Sequence, residues 1–159
     1  MSSKALTIAN VSPLEIRRDS VKYPRLHQYE KEDAIARLSD IVINAYLYTG
    51  RRADTGEVRF IASALYEELM EKNSYNTRCI AIEEVERAVK KALFGDKDLF
   101  ISVVSLYKAI MDWIKVDGHQ LDTQVRQMER DENEKALKES IIAGMVGENA
   151  QNLIINHKI

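Results

Sequence analysis

The stretch from Ile80 to Trp113, IAIEEVERAVKKALFGDKDLFISVVSLYKAIMDW, decides the fold class. Apolar residues recur in it at three- and four-residue steps on both sides of Gly95, which predicts two amphipathic helices with one apolar side each. Gly95 is expected to end the first helix in the left-handed conformation. Ser102 is the expected N-cap of the second. The apolar positions are Ile82, Val85, Val89 and Leu93, followed by Val103, Leu106, Ile110 and Trp113.

Two further helices precede this pair. The same periodicity predicts one from about Glu30 to Thr49, ended by Gly50, and one from Asp54 or Thr55 to about Lys72. The cluster NSYN at residues 73–76 is expected to end the preceding helix. Thr77 to Cys79 lead into the next helix and could be extended. The expected core positions are Ile35, Leu38, Val42, Ala45 and Tyr46, then Val58, Ile61, Ala62, Leu65 and Leu69.

The predicted fold is all-α, a compact bundle of four core helices with an extended N-terminal arm and a C-terminal helix. Residues 1–29 are assigned to the arm, 30–115 to the helical core, and 116–159 to an acidic C-terminal helix and flexible end. The arm either lies on the domain or reaches a partner, and a partly ordered terminus is the favoured interpretation. Ser12 and Pro13 can open a helical turn within it.

The C-terminal region carries a weaker helical pattern. Beyond residues 116–118 an apolar stripe at Leu121, Val125 and Met128 predicts a solvated helix, or one that docks on a second chain, to about Met145. Gly144 and Gly147 are expected to interrupt it.

Composition and charge exclude several classes of protein. The chain has 159 residues, a formal net charge of -2 and a single cysteine, so it has no internal disulfide framework and fits a reducing compartment. No apolar run approaches the ~20 residues of a membrane span, and no signal peptide is recognisable, so a cytoplasmic location in a bacterial host is expected. Residues 1–31 hold six basic and three acidic residues and residues 116–159 hold five and eight, without a basic stripe for nucleic acid.

The usual signatures of catalysis and ligand binding are missing. The chain has no phosphate-binding loop, dinucleotide fingerprint, HExxH motif or CxxC pair. We therefore predict no enzyme, no cofactor and no catalytic, cofactor-binding or metal-binding residue.

The chain also contains one cysteine, three histidines and several pairs of neighbouring charged residues. Cys79 is interpreted as a buried, inert cysteine, and a nucleophile with His119 in a turn as its base is the weaker alternative. The three histidines, His27, His119 and His157, form a cluster only if the chain ends fold together. The neighbouring carboxylates Glu83–Glu84 and Glu67–Glu68 are interpreted as solvated, and the arginine pairs Arg17–Arg18 and Arg51–Arg52 as ordinary surface residues.

The aromatic residues point to protein binding. Tyr46 and Tyr48 are two positions apart and diverge by about 200° on a helix, so some aromatic surface should remain exposed. Tyrosine is enriched in protein interfaces, although a rim of half-buried tyrosines is an equally good interpretation. The candidate partner-binding residues are Tyr48, Tyr66 and Tyr107 with Leu121, Val125 and Met128 of the C-terminal stripe.

The segment from Val58 to Trp113 resembles a helical module of small proteins encoded by bacteriophages and mobile elements, especially of Bacteroidetes. The resemblance lies in Ile82-Glu83-Glu84 opening one helix, Gly95 ending it, and Ile101-Ser102-Val103 opening the next. Such proteins are similar in outline to small helical helicase loaders, and the family has no catalytic residue to carry over. The resemblance implies an accessory role in phage or mobile-element DNA replication.

The expected function is thus a non-enzymatic protein-binding adaptor, with a replicative helicase as a possible partner. The first alternative is a phage structural or assembly protein that self-associates through its arm and tail. The second is a DNA-binding module that uses residues 82–114 as a helix-turn-helix. The loop Gly95–Ile101 is long for that motif, and the second helix offers only Lys108 and Lys115 as bases.

Overall fold

The computed structural model describes residues 11–71, 75–96 and 98–156, and across them it confirms the all-α fold. The described ranges contain no strand, apart from one isolated antiparallel bridge between Arg25 and Ala81. A first compact unit ends at Asp122 and a second begins at Thr123. The helices are α1 Pro13–Arg18, α2 Lys31–Tyr48, α3 Thr55–Glu71, α4 Tyr75–Arg78, α5 Ile82–Gly95, α6 Val103–Trp113 and α7 His119–Asn156; a 3-10 turn, Leu26–Gln28, precedes α2, and a π-helical turn, Ile114–Gly118, joins α6 to α7.

Four helices close around a common core. Helix α2 packs against α3 and α5, and α6 packs against the same two helices. Each contributes its apolar stripe to one cluster, represented by the buried Leu38, Leu65, Val85 and Leu106. Burial of apolar surface, at about 25 cal/mol per Å², is the main stabilising contribution to this arrangement.

The helix ends follow the local sequence in two cases and depart from it in a third. Ser102 caps α6 as predicted, because its Oγ accepts a hydrogen bond from Ser105 N at 3.2 Å. Gly50 follows α2 with a φ of 69°. The prediction of a left-handed conformation at Gly95 was wrong. The chain passes from α5 directly into extended backbone at Asp96, with a φ of -143°, and this helix end needs no residue with positive φ.

The expected break at residues 73–76 is partly replaced by the short helix α4, which contains Tyr75 and Asn76; residues 73 and 74 lie outside the described ranges. Thr77 Oγ1 donates to Leu69 O at 2.8 Å, and Arg78 Nε donates to Met70 O at 2.9 Å. These bonds to the last turn of α3 stabilise a helical turn that the local sequence disfavours, so Thr77 and Arg78 are not extended.

Residues 11–29, the described part of the expected arm, lie on the domain. Ser12 Oγ caps α1 by accepting from Leu14 N at 3.3 Å. Ile16 and Tyr23 pack with Ala81 in a small second cluster, and Leu26 belongs to the main core. Leu26 N also donates to Ile80 O at 2.8 Å, so this segment is held by both apolar packing and backbone hydrogen bonding.

Helix α1 is also held by a buried carboxylate. Glu84 has no exposed surface, and its Oε2 lies 3.3 Å from Arg17 Nη1, 3.8 Å from Arg25 Nη1 and 3.0 Å from Ala81 N. Interpreting Glu84 as solvated and Arg17 as an ordinary surface arginine was therefore wrong, because the folded N-terminal segment covers this part of α5. Burial raises the pKa of the Glu84 carboxyl, against the opposing effect of Arg17 and Arg25.

His119 lies at the start of helix α7 rather than in the predicted turn. The π-helical turn carries the chain from α6 into α7, and a Cβ on Gly118 would lie 2.5 Å from Arg17 Nη2. Glycine here leaves room for the Arg17 guanidinium, whose Nε lies 3.1 Å from Asp122 Oδ1. Helix α7 also continues through Gly144 and Gly147, since an isolated glycine costs a helix only about 1 kcal/mol.

Replacing Glu84 by glutamine should change how stability depends on pH. The folded pKa of Glu84 is raised, so its contribution to stability is complete below its ordinary pKa of 4.5 and is lost as pH rises through the folded value. Glutamine does not titrate, so Glu84→Gln should gain stability relative to the wild type as the pH rises above 4.5. Urea unfolding of both proteins at a series of pH values above 4.5 measures the difference. A relative loss for the variant would show that the arginines lower the pKa.

Replacing Gly118 by alanine should destabilise the protein by about 1–2 kcal/mol, because the new methyl group displaces the Arg17 guanidinium from Glu84 and Asp122. Gly95→Ala is the matched control, since nothing lies within 4 Å of a Cβ there and φ is not positive. The control should be neutral or more stable by up to about 1 kcal/mol. Thermal unfolding compares the two, and equal behaviour would contradict the role given to Gly118.

Candidate protein interface

Helix α2 carries a second row of small and apolar side chains in addition to its core stripe. Ala36, Ser39, Ile43 and Leu47 follow one another at steps of three and four and therefore share one side of the helix. Ala36, Ile43 and Leu47 are exposed, and the Ser39 hydroxyl donates to Ile35 O at 2.8 Å. The hydroxyl is thus satisfied within the helix, and this side of α2 is mostly apolar.

This row forms one wall of a groove between α2 and α3. The groove has a volume of about 650 Å³, within the range of protein ligand sites. Buried Ile35, Tyr46 and Val58 form its floor, whereas Ile43 is 40% exposed and Leu47 is 68% exposed at its lip. Exposed leucine and isoleucine beside a concave surface favour contact with another apolar surface.

The charged residues around the groove are predominantly basic. Arg51 and Arg52 follow α2 and remain exposed, as the sequence indicated, and Arg51 N donates to Tyr46 O at 3.0 Å. Arg59 Nη2 lies 3.8 Å from Glu32 Oε2 with both side chains well exposed, so this pair is weak. Three arginines against one glutamate, all lining the groove, favour a partner with carboxylates, which guanidinium groups can bind in a bidentate way.

Tyr48 contributes to a second, smaller apolar surface. It is 57% exposed and faces Phe94 of α5, which is 72% exposed, with ring centroids 6.0 Å apart and ring planes at 58°. Beside the two rings lies a pocket of about 190 Å³, lined also by Thr49, Lys90 and Leu93. Phe94 was not among the predicted residues, although its place just beside the core residue Leu93 puts it off the apolar stripe of α5.

The other predicted partner-binding residues differ in exposure. The expectation that Tyr66 remains available was wrong, because it is only 8% exposed and packs in the main core. Tyr107 and Leu121 are partly buried against that core. Val125 and Met128 are partly exposed on α7. Of the six predicted residues, only Tyr48 is well exposed.

The predicted reactive residues do not form a catalytic arrangement in the described ranges. Cys79 is partly exposed rather than buried, and its Sγ lies 3.9 Å from Nδ1 of His27, not of the predicted His119. That nitrogen also lies 3.0 Å from Arg78 O, to which only its protonated form can donate, and a protonated nitrogen is no base for the thiol. His157 lies outside the described residues.

The part of the chain that the structure describes contains no group of three or more histidine, cysteine, aspartate or glutamate side chains that could hold a metal ion. In the same part of the chain, every helix is too short or too polar to cross a membrane. The α2–α3 groove, with its exposed apolar lip and basic surroundings, is the candidate site.

Tyr48→Ala and Tyr66→Ala should separate exposed from structural tyrosine. Removing the buried Tyr66 ring leaves a cavity in the core, so this variant should lose about 3–5 kcal/mol of unfolding free energy. Removing the exposed Tyr48 should cost less than about 1 kcal/mol, since it loses mainly its contact with Phe94. Chemical denaturation measures both values. Comparable losses would show that Tyr48 is a core residue.

Comparison of the chain with protein-family models, with curated proteins and with solved structures finds no significant match.

Proposed function

We propose that this protein is a non-enzymatic adaptor that binds another protein through the α2–α3 groove. The observation that carries this proposal is the exposure of Ile43 and Leu47 beside the apolar floor of the groove. When a partner covers an apolar side chain that was exposed to water, binding is favoured by about 25 cal/mol for each Å² of apolar surface that is buried.

The composition of the groove supports a protein partner rather than a small polar substrate. Its floor and lip are aliphatic or aromatic, and its charged groups stand around them as arginines and one glutamate. An apolar centre with a polar rim is the usual anatomy of a protein interface, in which arginine is enriched. Tyr48 and Phe94 add a second apolar contact surface at the end of α2.

The partner we propose first is a replicative helicase of a phage, a mobile element or its host. This part of the proposal comes from the resemblance of residues 58–113 to small helical helicase-loader-like proteins. An adaptor of this kind would act by holding two proteins together and would need no catalytic residue.

Leu47→Glu tests the groove directly, because it replaces an apolar side chain at the lip by a charged one, which is costly to remove from water when a partner covers it. The substitution should weaken binding to the purified replicative helicase by at least about tenfold, as expected for a residue central to an interface. Isothermal titration calorimetry with wild type and variant measures the change. Val104→Glu is the matched control, since Val104 is 78% exposed on α6 and does not line the groove.

Circular dichroism should show that both variants are folded. If the helicase does not bind, affinity capture from the host lysate with the same three proteins tests other partners. Proteins that bind the wild type and Val104→Glu but not Leu47→Glu would support the groove as the binding site. Equal capture by all three proteins would contradict the proposal.

A further inference from the structure

We propose that residues 11–25, the N-terminal latch, open from α5 as a unit while the four-helix core stays packed, and that Glu84 makes this opening depend on pH. The latch is separate from the α2–α3 groove, which is lined by residues between 32 and 59. Its contacts with α5 are of two kinds, a small apolar cluster and a set of arginine interactions.

The apolar contact of the latch is small. Ile16 and Tyr23 are buried, and they pack with Ala81 in a cluster that has the partly buried Val11 at its edge. This cluster is distinct from the main core, whose first residue along the chain is Leu26. A segment with few buried apolar contacts opens at a lower free energy than the core on which it lies.

Arginine side chains supply further contacts. Arg17 and Arg25 of the latch approach Glu84 Oε2 at 3.3 and 3.8 Å, and Arg87 of α5 donates to Val11 O. Opening returns the carboxylate and both latch arginines to water together, so rehydration offsets much of the attraction that is lost. The charged groups therefore fix the position of the closed latch without making its opening costly.

The groups that face the Glu84 carboxylate come from three parts of the chain. Arg17 and Arg25 belong to the latch, and Ala81 N, at the start of α5, donates to Glu84 Oε2 at 3.0 Å. Asp122 of α7 lies behind Arg17, with its Oδ1 3.1 Å from Arg17 Nε. Burial raises the pKa of Glu84 and Asp122 acts in the same direction, against the opposing effects of Arg17, Ala81 N and Arg25.

The direction of the pH dependence follows from this burial. When the latch opens, Glu84 is exposed to water and takes its ordinary pKa of 4.5, so the closed latch binds the proton more tightly than the open one. Closing is most favourable below pH 4.5 and weakens as the pH rises through the closed-state pKa, by at most about a factor of ten per pH unit for one proton. A rise in pH thus makes the buried Ile16 and Tyr23 available for contact with other molecules.

Native-state hydrogen exchange, followed by NMR, tests the separate opening. The reporters are the amides of Asp19 and Tyr23 in the latch, which donate to Glu15 O and Asp19 O at 3.0 Å, and the amides of Leu38 and Leu65 in the core. Urea below the unfolding transition should accelerate exchange of the core amides more steeply, because global unfolding exposes more surface than latch opening does. Equal urea dependence of all four amides would show that the latch opens only when the whole protein unfolds, which overturns the inference.

Ile61→Val separates the two kinds of opening by mutation. Ile61 is buried in the main core on α3, so shortening it should lower the protection factors of the Leu38 and Leu65 amides about two- to tenfold. The protection factors of Asp19 and Tyr23 should not change, since Ile61 stays buried when the latch opens. A matching loss at the two latch amides would contradict a latch that opens separately.

The role of Glu84 is tested by the same exchange at a series of pH values above 4.5. After correction for the intrinsic exchange rate, latch opening should increase with pH in the wild type but not in Glu84→Gln. Glu86→Gln is the matched control, because it makes the same change on α5 at a carboxylate that pairs with Lys90 at 2.8 Å, and it should keep the wild-type pH dependence. Opening that does not increase with pH in the wild type, or that increases equally in Glu84→Gln, would show that Glu84 does not control the latch.

Discussion

The geometry of α2 constrains the rest of the molecule, because this helix is apolar on two sides and the four-helix core can cover only one. Leu38 and Val42 face the core with the stripes of α3 and α5, while Ile43 and Leu47 remain outside it. The same packing that stabilises the domain thus creates an apolar groove on its surface. The connection after α2 adds Arg51 and Arg52 to that groove, so its position and its charge both follow from the way in which α2 meets α3.

The N-terminal segment is held by a different kind of interaction. Glu84 brings a buried carboxylate within 4 Å of two arginines from this segment, and Gly118 leaves space for one of them. A buried pair of this kind contributes little net stability but is costly to break, so it selects one way of docking the segment on α5. The arginine also lies beside Asp122, which ties α1 to the beginning of α7.

The helical core could be predicted from sequence because its stripes repeat at helical spacing and its Ser102 cap and Gly50 stop act locally. The burial of Glu84 could not, since it depends on Arg17 and Arg25, which are far away in sequence. The π-helical turn and α4 likewise depend on tertiary contacts. The groove had a signal in the sequence, because Ala36, Ser39, Ile43 and Leu47 are spaced by three and four residues. The core stripe of the same helix is more strongly apolar and was the one recognised. Tyr66 was misjudged because exposure was inferred from residue type.

Methyl NMR with a soluble paramagnetic cosolute determines whether Ile43 and Leu47 form a contact surface. In dilute protein the methyl signals of Ile43, Leu47 and Val104 should all be strongly attenuated, because all three side chains are exposed. When its partner protein is added, Ile43 and Leu47 should become protected while Val104 remains attenuated. If Ile43 and Leu47 stay attenuated under conditions in which a complex forms, the groove is not the contact surface.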